Sequence, residues 1–478
     1  MSDNKLIFKN TFFLFITNFL NVFSSFVVSI LLARKSLPTN FGDFSTSQNY
    51  ANLLLIIADF GLSTLIVVNI ARNKAKVNEY LPKIYSFKYF LCLVYLIISY
   101  TMINIIHYST SVRVLVYITA FAYMCNSLFL FYSNVLRALE VMEYETYINM
   151  LVQTLLVLLC MVAIYVFNSV IFVAIAYLIE TATAVVVSVA IFRKKNITLK
   201  IKIDFSAWRD LVKDAMPFGF HQLFGYMYLL IDTFLLGVFY GSESVAYYSA
   251  TTKILVGLNF ITDTIMGVMM PVLSRYYSTD KSKLVSFYKV CLKLMWTFSI
   301  FLSVEMFFNS GNIITFLYKN KYDNSIPILM VLSFLVVFRF VGNVPAVLLT
   351  SLDLQKYRFY IVILGTVINV ILNLLLIPKF NYMGAAYSAL LTNAILCIVH
   401  FVIVFRKVGY KTIGINPIKI VGYSLILIFA EMGINKFLVS NLFIKGIMVF
   451  ILAIISTILV GIFSKGEIIG IKKELKRG

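Results

Sequence analysis

Residues 27–72 read VVSILLARKSLPTNFGDFSTSQNYANLLLIIADFGLSTLIVVNIAR, and the fold is decided in this stretch. An apolar run closes on Leu31-Leu32-Ala33-Arg34, a turn follows with Pro38 and Phe41-Gly42, and a second apolar run carries Asp59-Phe60-Gly61 at its centre before ending on Ala71-Arg72. Two spans folded tightly back, with one acid at mid-depth, make a transporter-like unit, because an ionisable group there must face a partner or a wet cavity. The arrangement returns at a constant offset: Leu31-Leu32-Ala33 aligns with Leu235-Leu236-Gly237, and Phe44-Ser45 with Tyr248-Ser249. The same register sets Asp59 opposite Asp263, which predicts a duplicated half.

Outward from this unit the composition agrees. Of 478 residues, 61% are hydrophobic and 13% charged, and the mean hydropathy is +0.91, more than a soluble core of this length buries. Spans of about 20 apolar residues divide the chain into about fourteen, giving an all-α membrane protein. Six spans fall in an N-terminal lobe, 1–205, and six in a pseudo-symmetric C-terminal lobe, 206–412. An appended pair with a basic cytoplasmic tail occupies 413–478, where Glu431 and Lys436 interrupt the apolar runs. The first apolar run, Thr11 to Leu32, is too long for a cleaved signal and is expected to remain as the first span.

The net charge of +20 suggests nucleic acid in a soluble protein, but its distribution assigns it to topology. Of the 41 Lys and Arg, 31 lie on the side of the N-terminus and 8 on the other, with Lys253 and Arg339 inside spans. This predicts a multi-pass protein of the cell membrane with both termini cytoplasmic, its basic excess also available to anionic lipid headgroups. The segment from Arg137 to Glu145 reads as a short surface helix. Residues 193–213 read as a linker whose Asp204–Lys213 portion has the apolar spacing of an interfacial amphipathic helix, ending before Pro217 starts the next span. Pro271 and Pro345 mark possible bends, with Pro345, beside Gly342 and Asn343, favoured as a point of motion.

The charges inside spans are Asp59, Glu180, Asp232, Lys253, Asp263, Glu305, Arg339 and Glu431. Lys253 is too deep for easy snorkelling, and Arg339 sits mid-span, where a planar fork of donors can hold phosphate oxygens. These two are read as contacts for an anionic headgroup, against the plainer reading of internal salt bridges. Arg34 and Arg72, at span ends, are second-rank contacts. Asp59, Asp232 and Asp263 are read as cavity acids or coupling sites for H+ or Na+, against simple pairing with cations. His107, His221 and His400 are far apart in sequence, the five cysteines fall in apolar runs, and neither set has metal-ligand spacing. No catalytic motif, phosphate-cradling loop or soluble insert suggests an enzyme or a cofactor.

Several short motifs carry a resemblance. Leu32-Ala33-Arg34 through Phe41-Gly42, with Asp59-Phe60-Gly61-Leu62-Ser63 and Ala71-Arg72, resembles the start of the O-antigen-type polysaccharide flippases of the multidrug/oligosaccharidyl-lipid/polysaccharide exporter superfamily. Ala215-Met216-Pro217, Asp232 and Val245-Ala246-Tyr247-Tyr248-Ser249-Ala250 resemble the entry to that family's second lobe, although Ala246 stands where the family often has glycine. Ile377-Pro378 followed by Met383-Gly384-Ala385-Ala386 resembles its turn between spans eleven and twelve. The resemblance implies two six-helix bundles rocking between inward-open and outward-open states. It also implies a polyprenyl-pyrophosphate-linked oligosaccharide as cargo, flipped from the cytoplasmic to the outer leaflet for O-antigen, capsule or related glycans, with a basic cavity for the pyrophosphate. Polysaccharide polymerase machinery is then a candidate partner. The competing readings are a cation-coupled multidrug antiporter of the same fold and a membrane glycan polymerase or acyltransferase.

Overall fold

A computed structural model describes residues 3–72, 77–106, 108–198, 200–409, 416–437, 442–463 and 467, and every regular element among them is a helix. His107, the basic tail beyond 467 and the side chain of Arg72 lie outside the described residues. Packing divides the chain into two compact units, Met1–Gly257 with Ile377–Tyr382, and Leu258–Leu376 with Met383–Gly478. These limits follow packing, whereas the lobes drawn at 205 and 412 follow the counting of spans.

In the first unit, α1 (Asp3–Lys35) ends in Arg34 and Lys35, cations suited to the negative end of a helix. Pro38 opens α2 (Pro38–Leu54), where its fixed φ suits a first turn and its missing N–H costs nothing. The second apolar run then breaks: α3 (Ile56–Asp59) and α4 (Leu62–Arg72) are separated by Phe60 (φ 44°) and Gly61 (φ 79°), and the chain bends by 44°. Next come α5 (Val77–Ile105), α6 (Thr110–Ala138), α7 (Met142–Tyr165) and α8 (Val170–Lys194). Buried tyrosines tie α2 to α5, Tyr50 Oη donating to Ser99 O and Tyr95 Oη to Ala51 O, each at 2.9 Å. Both hydroxyls are thus satisfied where no water is on hand.

Two local expectations change. Residues 137–145 form no separate surface helix: α6 runs to Ala138, α7 starts at Met142, and Arg137 grips the buried Glu145 through two nitrogens at 2.5 and 2.7 Å. The bidentate pair closes the turn between α6 and α7. The amphipathic stretch is not a separate helix either, since α9 (Phe205–Thr279) continues from it through Pro217. It docks on α5, with Trp208 Nε1 donating to Ser86 Oγ at 2.9 Å and its ring lying against Phe87 and Phe90. Asp204 caps this start, accepting from Ala207 N and Ser206 Oγ, which hold its carboxyl below the usual carboxylate range.

α9 has 75 residues, about 110 Å at 1.5 Å per residue, far beyond a hydrocarbon core of about 30 Å. It is interrupted at Gly241 (φ 76°, ψ −171°), a conformation reserved for glycine, in the gap expected between two spans. The remaining elements are α10 (Lys281–Phe308), α11 (Ser310–Tyr318), α12 (Ser325–Ser351), α13 (Gln355–Phe380), α14 (Tyr382–Val408), α15 (Pro417–Phe437) and α16 (Leu442–Leu459). α12 runs through Pro345 and α9 through Pro271 without interruption, so neither proline breaks its helix.

Among the described residues eleven helices are long and apolar enough to cross a membrane, or twelve if the bent pair Pro38–Asp59 and Leu62–Ile70 forms one span. The count is lower than fourteen because α9 enters once despite its length and Ile444–Leu459 falls short of the required length.

Gly61 is the tightest constraint on the opening hairpin. A Cβ there would lie 2.5 Å from Gly219 N and 2.8 Å from Ala215 O, both backbone, and its φ is positive. Gly61→Ala is expected to add about 1–2 kcal/mol of left-handed strain to this overlap, lowering Tm in detergent by more than about 3 °C. Gly225→Ala, with nothing within 4 Å of its Cβ, should leave Tm unchanged or raise it.

Candidate functional site

A charge at membrane depth is tolerated only where something answers it, so the site is built from how each such charge is answered. In the first unit, Asp59 ends α3 and is 8% exposed. Its Oδ1 accepts from Lys88 Nζ at 2.8 Å and from Ser63 Oγ at 2.5 Å. Lys88, 1% exposed, also donates to Ser127 Oγ at 2.7 Å and lies over the Phe131 ring. Asp59 is therefore an ion-pair partner whose Oδ1 takes the ammonium and one hydroxyl while Oδ2 is buried without a hydrogen-bond partner, and the second hydroxyl, Ser127, serves the lysine.

Lys88 is absent from the residues singled out by sequence, because it sits at the start of an apolar run and counts there as a topology charge. Its signal is helical register: Tyr85, Lys88, Cys92 and Tyr95 form one buried stripe of α5, and a lysine on such a stripe demands an acid.

The other charges of this unit are answered differently. Asp232 is buried and accepts from Tyr248 Oη at 2.9 Å. Lys253 is half-buried and makes no ion pair among the described residues. Arg34 sits half-buried in the last turn of α1. Glu180, 6% exposed, faces a cavity of about 270 Å³ whose polar lining includes Asn21, Gln48, Asn126, Asn149 and Gln153. Gln153 Nε2 approaches Glu180 Oε1 at 3.5 Å. This chamber is rich in amides and has one acid and no lining cation.

The second unit reverses that balance. Asp263 on α9 is exposed although it lies mid-span, and both Arg339 (α12) and Arg358 (α13) act on it electrostatically without forming a direct ion pair. Arg358 Nη1 donates to Thr350 Oγ1 at 3.0 Å, and the same guanidinium acts on His400 of α14, whose Nδ1 is 2.8 Å from Leu396 O. Two guanidiniums against one carboxylate leave a net positive charge, carried by the exposed Arg358 and the half-buried Arg339. Planar donor forks left partly unused suit phosphate oxygens. Arg358 belongs to this group although sequence reading placed it in a cytoplasmic gap, since only the fold brings the start of α13 to Asp263. Among the described residues no trio of His, Cys, Asp or Glu is arranged to hold a metal ion, and the five cysteines are free and buried.

The family described as Polysaccharide biosynthesis protein matches residues 7–277, and the family described as MatE matches residues 217–375. The capsular polysaccharide biosynthesis protein CapF of Staphylococcus aureus is 20% identical over 412 residues, covering 82% of this chain and 98% of its own. The lipid II flippase MurJ, solved in an inward closed conformation, superposes with a TM-score of 0.76 at 16% identity, covering 94% of this chain and 98% of that one. An inward-facing multidrug resistance MATE family transporter of the MOP superfamily gives a TM-score of 0.68 at 14% identity, covering 82% and 94%. These superpositions establish a membrane transporter fold.

Breaking the Lys88–Asp59 pair should be costly from either side. Lys88→Met or Asp59→Asn alone is expected to lose about 3–5 kcal/mol. The double variant should recover most of it, as read by unfolding of the purified protein. Additive losses would mean that the two groups do not answer each other.

Proposed function

The chain belongs to the polysaccharide biosynthesis protein family of integral membrane transporters, and we propose that it is a flippase for a polyprenyl-pyrophosphate-linked oligosaccharide serving cell-surface polysaccharide assembly. The observation that carries this reading is the excess of guanidinium over carboxylate around Asp263. A drug-cation site would invert that sign. Arg339 and Arg358 are assigned to the pyrophosphate. Lys253, Arg34 and Arg72 remain candidates for the same chemistry by residue type.

A lipid-linked anion also needs an apolar path for its tail. The second unit supplies a cleft of about 410 Å³ lined by Phe298, Phe301, Tyr423, Phe450 and Ile454 among others, nearly all of it apolar. Membrane lipids are the natural neighbours of such a cleft.

The proposed direction is from the cytoplasmic to the outer leaflet by alternating access, with both termini cytoplasmic as the basic bias requires. An interior-negative potential favours outward movement of anionic charge by about 2.3 kcal/mol per charge per 100 mV. Coupling to H+ or Na+ through Asp232 or Asp263 would then serve chiefly to reset the empty carrier. Asp59 is the weaker candidate, because Lys88 already holds it.

The uncompensated Glu180 beside a polar cavity favours a second reading, a cation-coupled multidrug antiporter. Under it, Glu180→Gln abolishes ethidium resistance while variants of the arginines leave resistance intact.

Under the flippase reading, Arg339→Ala/Arg358→Ala in full-length protein should reduce transfer of a polyprenyl-pyrophosphate oligosaccharide across proteoliposomes by about tenfold or more. That is the scale of losing one or two charge-assisted hydrogen bonds. Surface polysaccharide in cells should fall with it at unchanged membrane abundance. Undiminished transfer by the double variant would sink the assignment.

A further inference from the structure

Beyond the charges already placed, the second unit holds one further polar cluster. Glu305 lies in the last turn of α10, Asn309 caps that helix, Glu431 and Asn435 lie on α15, and Lys445 is in the first turn of α16. Glu431 is 0%, Asn309 1% and Lys445 8% exposed. The Asn309 amide bridges the two acids, Nδ2 donating to Glu305 Oε2 at 3.0 Å and to Glu431 Oε1 at 2.7 Å. Asn435 Nδ2 donates to Glu431 Oε1 at 3.2 Å, and Lys445 Nζ to Asn435 Oδ1 at 2.8 Å.

Two observations show the cluster to be incomplete. The first is charge: the described charged groups acting on these carboxylates are each other and Lys445, which leaves two negatives against one positive. The second is hydrogen bonding, since Glu305 Oε1, Asn309 Oδ1 and Glu431 Oε2 are buried with no partner. All three are acceptors. An orphaned buried acceptor carries its full desolvation cost, and three in one network require donors or a cation. One proton, held on one carboxyl and donated to the amide oxygen, would answer two of the three and leave an oxygen of the other carboxylate unanswered. Thiolates and imidazoles, the ligands of softer metals, are missing from the cluster, whereas carboxylate and amide oxygens suit a hard cation. The single missing positive charge sets its valence at one. Asn435 is exposed and offers a way in.

We propose that Glu305, Asn309 and Glu431 form a binding site for a monovalent hard cation of the sodium type, which fastens α15 and α16 to α10. The site is independent of what the transporter carries.

The test uses full-length protein purified in detergent in choline chloride at constant ionic strength, with NaCl as the probe. Sodium should raise the Tm of the native chain saturably, on the order of 2 °C or more. The response should vanish in Glu431→Gln and in Glu305→Gln, each of which removes one negative charge. Bound ²²Na⁺ should fall by one per chain in both. Should the glutamine variants fail to fold, Lys445→Met provides the opposite perturbation. Removing that positive charge should lower the half-saturating sodium concentration by about tenfold or more. The proposal is overturned if NaCl and choline chloride give the same Tm, if the glutamine variants keep the sodium response, if Lys445→Met leaves the half-saturating concentration unchanged, or if acidification alone stabilises the native chain and sodium adds nothing.

Discussion

The ion pair between Lys88 and Asp59 shows the constraint under which this molecule is built: inside a membrane each charge needs an answer within reach. Asp59 receives one ammonium and one hydroxyl on a single oxygen, and Lys88 gives a second bond to Ser127. The backbone serves the same end. α3 stops at Asp59, so the residue that receives Lys88 stands at the break between α3 and α4. The left-handed Phe60 and Gly61 then turn the chain, and the backbone around Ala215 and Gly219 packs where Gly61 has no side chain. Charge pairing, helix break and close backbone approach at this hairpin are parts of one arrangement.

The acid that matches Asp59 in the internal alignment shows what happens when the answer is not closed. Around Asp263 α9 is unbroken, the carboxylate is exposed, and two guanidiniums act on it at longer range. Lipid does not tolerate this arrangement, and an aqueous lining does. One register thus carries two outcomes. The first fixes structure, because the charges cancel locally and are dry. The second leaves charge in surplus, which is a condition for attracting something from outside.

These two sites also mark what the sequence could convey. Apolar length marked the stretches able to span, and Pro38 marked the turn between the first two, because both are properties of local chain, whereas the break at Phe60 and Gly61 falls inside a run that reads as one span. The identity of each charge's partner is a property of tertiary contact. Nothing near Lys88 in sequence names Asp59, twenty-nine residues away, and nothing near Arg358 names Asp263. Register on one helix face would have marked Lys88 as buried, though not its partner. The continuous passage of α12 through Pro345 and of α9 through Pro217 was illegible for a related reason. A proline's effect depends on whether neighbours re-satisfy the backbone bond it removes.

The attachment of the last two helices follows from the same constraint. Between helices in lipid there is no hydrophobic drive, because the tails are as apolar as leucine, so polar contacts and close packing carry the association. On α10 these contacts fall at two levels. At one, Lys293 Nζ meets both oxygens of Glu467 at 2.8 and 2.9 Å. At the other, Asn309 joins Glu305 to Glu431 beside Lys445. The residues of α10 between them, Leu294, Met295, Phe298 and Phe301, line the apolar cleft, as do Phe450, Ala453 and Ile454 between Lys445 and Glu467. Within that interval Tyr423 Oη adds a bond to Thr297 O. Beside the cleft Ile300, Val304, Leu427, Val449 and Ala453 pack as one buried apolar cluster, so close packing between the clamps joins the polar contacts at their ends in holding the pair to α10.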